Sequence, residues 1–173
     1  MKLVRVGVAL LATCVFGASV SHAALNAYLK LKGTKTTKFN PSVPSDQIMV
    51  IAVSHEIVSP RDPASGLPTG KRMHKPFVIH KEWDSSTPQL LTALAKNEAI
   101  KEIEFTFFES AGSGKVKLVR KATLQNAKIK SIRKLPTANG KPPMEEISFT
   151  YQKITWTDLN QVVGVDDWKQ LGG

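Results

Sequence analysis

Basic side chains crowd one stretch of this sequence in a pattern suited to binding negative charge. Residues 115–134 hold eight basic residues and no acid, whereas residues 82–109 hold six acids against two bases. The eight are Lys115, Lys117, Arg120, Lys121, Lys128, Lys130, Arg133 and Lys134. A run of this kind contacts a polyanion or an acidic protein surface. Residues 110–148 contain no aromatic side chain on which bases could stack, so specific nucleic-acid binding is not expected.

The two flanks of opposite charge leave two functions open. The first is self-association through complementary surfaces, because head-to-tail contacts between copies can close into rings. The second is a monomer that binds a polyanion through residues 115–134. The acidic pairs Glu145-Glu146 and Asp166-Asp167 are expected to be ordinary solvated charges.

The histidines His55, His74 and His80 are the remaining candidates for chemistry. No carboxylate or further histidine stands beside them at metal-ligand spacing, so each is expected to be a surface or hydrogen-bonded side chain. The stretch from Gly66 to Arg72 suggests a phosphate-binding loop only superficially, since Arg72 replaces the serine or threonine that must bind magnesium. We therefore predict no catalytic residue, no metal site and no cofactor, and rank an enzyme behind both binding functions.

The first 23 residues have the three parts of a secretory signal peptide. Lys2 and Arg5 precede an uncharged apolar run over residues 6–18, and small residues flank a predicted cleavage between Ala23 and Ala24. The run is shorter than the roughly 20 residues of a membrane-spanning helix. We predict a signal peptide over residues 1–23 and a single domain over residues 24–173. The domain would be exported to the periplasm or beyond the cell, without membrane contact after cleavage.

The alternative to a leader is a misassigned start, for instance at Leu25, which would leave the protein in the cytoplasm before secretion. With the leader removed, 150 residues remain, enough for a core that needs no covalent staple. The one cysteine, Cys14, leaves with the signal, which excludes disulfides and thiol chemistry from the mature chain. The mature chain has 22 basic and 14 acidic residues, a net charge of +8.

Alternation of apolar and polar residues with a period of two indicates β-strands along most of the mature chain. Strands are predicted over residues 27–32, 47–58, 75–83, 102–109, 115–123, 127–135 and 147–156. One of them places Phe77, Ile79 and Lys81 on the same face, and a phase shift near Lys153 predicts a β-bulge. With one helix, these strands predict a mainly β fold, a small β-barrel or sandwich of two sheets with one packed α-helix.

The single helix is predicted after residue 84. Ser86 is its expected N-cap, Pro88 lies in the first turn, Gln89 completes a capping box and Asn97 ends the helix. The apolar face that should pack on the sheet consists of Leu90, Leu91, Leu94 and Ala95.

Four segments together carry a resemblance to a known family. They are Ala27-Tyr28-Leu29-Lys30; Thr69-Gly70-Lys71-Arg72-Met73-His74-Lys75-Pro76-Phe77; Lys81-Glu82-Trp83-Asp84-Ser85-Ser86 ahead of Pro88 and Leu90; and Tyr151-Gln152-Lys153-Ile154-Thr155-Trp156-Thr157 with Asp167-Trp168. In order and spacing they resemble the haemolysin-coregulated protein (Hcp) family, the tube proteins of bacterial type VI secretion. The resemblance covers nearly all of residues 24–168.

The resemblance implies a two-sheet β-barrel with a helix on its side. It also implies hexameric rings that stack into a hollow tube, are expelled from the cell with other type VI components, and bind effector cargo inside the ring. Two features depart from the family. Residues 158–165 replace a glycine-rich turn, and the leader is unusual because family members normally assemble in the cytoplasm without a cleavable signal.

The loop over residues 59–75 is the predicted contact with a neighbouring subunit or ring. Its three prolines and two glycines exclude a continuous helix or a central strand. Lys71, Arg72, His74 and Lys75 lie in the densest match to the family. We predict that they face the acidic flank of an adjacent subunit, and that the flanking strands supply backbone pairing between subunits.

Overall fold

The computed structural model describes residues 26–32, 47–111, 115–137 and 140–170. The predicted signal peptide and its cleavage site lie outside these residues. Within them, no helix is long and apolar enough to cross a membrane. The elements of the described chain are β1 (Asn26–Lys32), β2 (Ile48–Val50), β3 (Ala52–Ser54), β4 (Ile57–Val58), β5 (Met73–His74), β6 (Phe77–Glu82), α1 (Thr87–Ala95), β7 (Ile100–Ala111), β8 (Lys115–Leu135), β9 (Met144–Thr150), β10 (Lys153–Asp158) and β11 (Val163–Asp167).

Antiparallel pairing arranges most strands in two sheets that share β8. One sheet has the order β2-β1-β7-β8-β10-β11, and the other has the order β8-β9-β6-β3. Only Ile51 separates β2 from β3, and its N–H donates to the His80 carbonyl at 2.8 Å. The chain thus passes from one sheet to the other and closes the barrel, which confirms the predicted architecture. The short pair β4-β5 stands apart.

The core lies between the two sheets. Phe77 of β6 stacks on Phe105 of β7 with ring centroids 4.5 Å apart, and Phe149 of β9 meets Phe105 edge-on. Leu90 of α1 belongs to the same buried cluster. The helix therefore covers part of the barrel's apolar interior.

β8 is one strand of 21 residues where the sequence predicts two. Asn126 adopts a φ of 51°, a left-handed conformation that asparagine tolerates better than most residues. Leu124 before it and Ile129 beyond it are both buried, so the bend moves the core-facing side from even to odd positions. Since β7 and β10 pair with the first part of β8 and β9 with the second, the bend is also where the two sheets diverge.

The bulge predicted near Lys153 is wrong. The chain leaves strand geometry at Tyr151 and Gln152, so β9 and β10 are separate strands along the same side of β8. Register shifts occur instead within β7 against β8 and within β8 against β9. The sequence pattern shifts its phase here, and a bulge was the predicted cause. The two-residue break has the same effect, because it changes which side chains of the next strand face the core.

The buried face of α1 is rotated from the predicted one. Leu90 and Ala93 are buried and Leu94 packs against the core, but Leu91 is 55% exposed, so its predicted burial is wrong. Ala95 is exposed as well. Residues three and four apart share a helix face, and the 90, 93 and 94 positions satisfy that spacing.

Ser86 is the N-cap residue, as predicted, and Asn97 ends the helix with a φ of 51°. The capping box is wrong, because the Ser86 hydroxyl makes no cap hydrogen bond and donates to Asp84 Oδ1 instead. The same carboxylate oxygen accepts the Ser86 N–H at 2.8 Å. The Gln89 amide reaches the Ser85 carbonyl at 3.4 Å rather than the N-cap.

A buried ion pair ties the start of α1 to the sheet. Lys81, which shares a face of β6 with Phe77 and Ile79, has a fully buried side chain whose Nζ lies 2.9 Å from Glu145 Oε1 and 2.9 Å from Asp84 Oδ1. The Thr87 hydroxyl donates to Glu145 Oε1 at 2.8 Å. Because Glu145 is only 1% exposed, its predicted role as a solvated charge is wrong.

Candidate subunit interface

The predicted interface loop forms a hairpin. β4 and β5 pair at its base, and an isolated bridge joins Arg61 to Pro68 further out. Asp62 Oδ1 fixes the turn by accepting the N–H of Ser65 at 2.7 Å. Gly66 has a φ of 70°, which a residue without a β-carbon adopts freely. Leu67 at the tip is 65% exposed, so the hairpin presents an apolar side chain to its surroundings.

Two of the four predicted interface residues bind their own chain. Arg72 Nε donates to Asp166 Oδ1 and Oδ2 at 2.6 and 2.8 Å, and Arg72 also reaches the Gln170 carbonyl. His74 Nε2 lies 2.8 Å from Asp166 Oδ2, and its side chain is 4% exposed. Arg72 and His74 thus hold the hairpin against β11, and Asp166 is not the freely solvated charge that the sequence suggested.

The electrostatics of Asp166 follow from these contacts. Burial alone would raise the pKa of the Asp166 carboxyl, but hydrogen bonds and charge from Arg72 and His74 outweigh burial and hold that pKa below its usual value. Asp166 is therefore ionised at neutral pH. The two partners stand 94 and 92 residues away in the sequence, and no local pattern links them.

The other two predicted interface residues, Lys71 and Lys75, are exposed. Among the described residues, neither ammonium lies within 4.0 Å of a carboxylate. The hairpin therefore offers two lysines to a partner while Arg72 and His74 bind it to its own chain. A contact between these lysines and another subunit remains a prediction.

β11 next to the hairpin is an open apolar edge. Among the described strands it pairs only with β10. Val163 and Val165 are each 55% exposed, and Val162 just before the strand is 64% exposed. An unpaired edge with exposed branched side chains is a template for pairing with another chain.

Side-chain hydrogen bonds shape the turn that leads into β11. Asp158 Oδ1 accepts the N–H of Asn160 at 2.9 Å and of Val162 at 3.0 Å. Gln161 takes the left-handed conformation, with a φ of 62°. These contacts make a tight connection between β10 and β11.

Aromatic side chains fill the space behind the hairpin. The His74 ring stacks on Tyr151 at 5.1 Å, and His55 Nε2 is 2.5 Å from the Tyr151 hydroxyl. Burial, with a smaller contribution from the Asp166 charge, raises the pKa of Tyr151, so the phenol keeps its proton. Burial, and then the charge of His74, lowers the pKa of His55. His80 lies 3.1 Å from Glu146, so each of the three histidines in the described part of the chain has a hydrogen-bonding partner, as predicted.

The basic side chains between residues 115 and 134 lie along β8. They do not form one uniform patch, because some of them have partners within the chain and others do not. Arg133 pairs with Glu146 at 2.9 Å, and Lys134 Nζ stands 4.2 Å above the centre of the Trp83 ring. Lys128 approaches the Asn97 side chain at 3.4 Å. Four others have no ion-pair partner among the described residues: Lys117, Arg120, Lys121 and Lys130. The Lys115 side chain lies outside the description.

No three His, Asp or Glu side chains in the described ranges are grouped to hold a metal ion. The interactions around each histidine bind one part of the chain to another. The hairpin and the neighbouring β11 thus expose charge at Lys71 and Lys75 and apolar area at Leu67, Val163 and Val165.

Comparison with known proteins agrees with this architecture. The sequence profile of a family described as "Type VI secretion system effector, Hcp" matches residues 10–157, and so begins within the predicted leader. The chain is 38% identical over 132 residues to "Major exported protein" of Pseudomonas aeruginosa, covering 72% of this chain and 76% of that protein.

Two solved structures share the fold. A structure titled "Crystal structure of Hcp protein" superposes with a TM-score of 0.74 at 30% identity, over 83% of this chain and 99% of that one. "Secreted protein Hcp3 from Pseudomonas aeruginosa" gives a TM-score of 0.67 at 28% identity, over 85% of this chain and 100% of that one. The profile, the relative and the shared two-sheet barrel show that this chain belongs to the Hcp family of secreted type VI secretion tube proteins.

Proposed function

We propose that this chain is the subunit of a hexameric homo-oligomeric ring that stacks into a tube, and that it serves as a non-enzymatic secreted structural protein.

 The observation that carries the proposal is the open apolar edge of β11 beside a hairpin with two exposed, unpaired lysines. Edges of this kind are normally covered in folded proteins. Because the family resemblance implies rings of identical subunits, we take the partner that covers this edge to be a second copy of the chain.

The contact between neighbours would combine backbone pairing with charge. A strand of the adjacent subunit would pair with the open side of β11 and bury Val163 and Val165. Lys71 and Lys75 would meet acids that have no ion-pair partner among the described residues, of which Glu109 is exposed. In this arrangement each subunit uses one surface to contact a different surface of its neighbour. Such contacts are heterologous and can close into a ring.

Charge reversal on the hairpin tests this contact. The variant Lys71→Glu/Lys75→Glu should lower the fraction of assembled protein in sedimentation velocity, most clearly at low salt, because rim charges act on encounter and register. Arg72→Glu is unsuitable, since it would also break the bond to Asp166 within the chain.

The matched control is Lys96→Glu/Lys141→Glu, which reverses two exposed lysines away from the hairpin. It should leave the assembled fraction unchanged, and circular dichroism should report the same fold for both variants. Equal assembly of the hairpin variant, the control and the unmodified protein would contradict the proposed contact.

The monomeric alternative has one specific observation in its favour. Lys117, Lys121 and Lys130 on β8 have no carboxylate partner among the described residues and could contact a polyanion. This alternative predicts a monomer whose binding to heparin weakens steeply as the salt concentration rises.

The main proposal has two further parts. Effector binding inside a ring rests on the family resemblance, and export through the predicted leader rests on residues 1–23.

A further inference from the structure

A cavity of about 320 Å³ opens behind the hairpin, where β5 and β8 approach the segments that follow β9 and β11. Its wall includes His74, Lys75, Lys130, Tyr151 and Trp168. Small-molecule sites have volumes from about 300 Å³ upward and combine apolar walls with a few polar groups. The cavity therefore has the size and the mixture of surfaces that such a site needs.

Two cations at the cavity lack a counter-charge. Within the described ranges, neither Lys75 nor Lys130 lies within 4.0 Å of a carboxylate. Asp166 is close by, but its oxygens already accept from Arg72 and His74. An anionic group entering the cavity would supply the charge that these lysines lack.

Aromatic rings supply flat walls between the polar groups. The His74 ring stacks on Tyr151 at an interplanar angle of 30°, and Trp168 meets His74 edge-on with ring centroids 5.7 Å apart. From the two unpaired lysines and these rings, we infer that the cavity binds a small aromatic carboxylate.

Calorimetric titration of the full protein tests the site with two probes that share one ring system. 2-Naphthoate should bind, and 2-naphthol should bind about tenfold more weakly for want of the charge. Binding of 2-naphthol as tight as that of 2-naphthoate, or no binding of 2-naphthoate at millimolar concentration, would overturn the inference.

Variants locate the site. Lys130→Gln should weaken 2-naphthoate binding about tenfold, whereas Lys96→Gln, at an exposed lysine outside the cavity, should leave it unchanged. Equal effects of the two substitutions would also overturn the inference. Both lysines are exposed, so neither change threatens folding. Because Lys75 also belongs to the proposed subunit contact, the mass of the assembly measured on the same samples keeps the two proposals separate.

Discussion

Replacing Lys81 by methionine should be among the most destabilising single changes in this domain. The substitution keeps much of the aliphatic stem but removes an ammonium that contacts Glu145, Asp84, Thr87 and the Glu82 carbonyl at 2.7 to 3.3 Å. The Glu145 carboxyl group, which is 1% exposed, would then have no cation beside it. Removing one partner of a buried ion pair costs about 3 to 5 kcal/mol, because the remaining charge is uncompensated.

Urea unfolding at pH 7.5 and fixed protein concentration measures this loss. For an m-value of about 2 kcal/mol per molar, the midpoint should fall by about 1.5 to 2.5 M. Adding Glu145→Gln to Lys81→Met should recover part of the loss, because the neutral amide removes the uncompensated charge.

The control is Lys32→Met, which breaks the exposed pair between Lys32 and Glu102. That pair is as short, at 2.7 Å, but the lysine side chain is 46% exposed, so the change should cost no more than about 1 kcal/mol. If Lys81→Met cost no more than Lys32→Met, burial of the ion pair would not be what stabilises the start of α1, and the reasoning would be refuted.

Three further predictions concern the helix, the response to pH and the leader. Leu90→Ala should lower the free energy of unfolding by about 2 to 5 kcal/mol, and Leu91→Ala should lower it by well under about 1 kcal/mol. Equal losses in urea unfolding would contradict the assignment of Leu90 to the buried face of the helix. Because burial and then His74 lower the pKa of His55 from 6.5, the stability that this neutral ring contributes is complete above pH 6.5 and falls as the pH drops below it. Unfolding at pH 7.5 and 5.5 should therefore show a decrease that is smaller in His55→Gln, and an unchanged decrease would assign it to other groups. N-terminal sequencing of exported protein should begin at Ala24, and an intact leader on soluble protein would exclude the signal peptide.

Local patterns were sufficient to predict the architecture. The period-two alternation located the main strands, and it grouped Lys81 with Phe77 and Ile79, a face that the structure shows to be buried. The helix was found from its start signals, but its buried face was misjudged because Leu90 and Leu91 are adjacent and only one can point inward. β8 was split in two because a left-handed Asn126 reads as a turn although pairing continues through it.

Contacts between distant segments could not be predicted in the same way. Asp166 binds Arg72 and His74 across more than 90 residues, and Glu145 meets Lys81 across 64. A charge in a sequence carries no sign of whether folding will bury it or bring it a partner. The sequence therefore assigned all four basic residues of the loop to one role, whereas Arg72 and His74 bind their own chain.

The central claim is that copies of this chain assemble into a ring through the hairpin and the open edge of β11. Native mass spectrometry of the purified protein at low salt counts the subunits directly. The account predicts a single closed species of six chains, without a ladder of open oligomers. A protein that is monomeric under these conditions at all concentrations tested would contradict it.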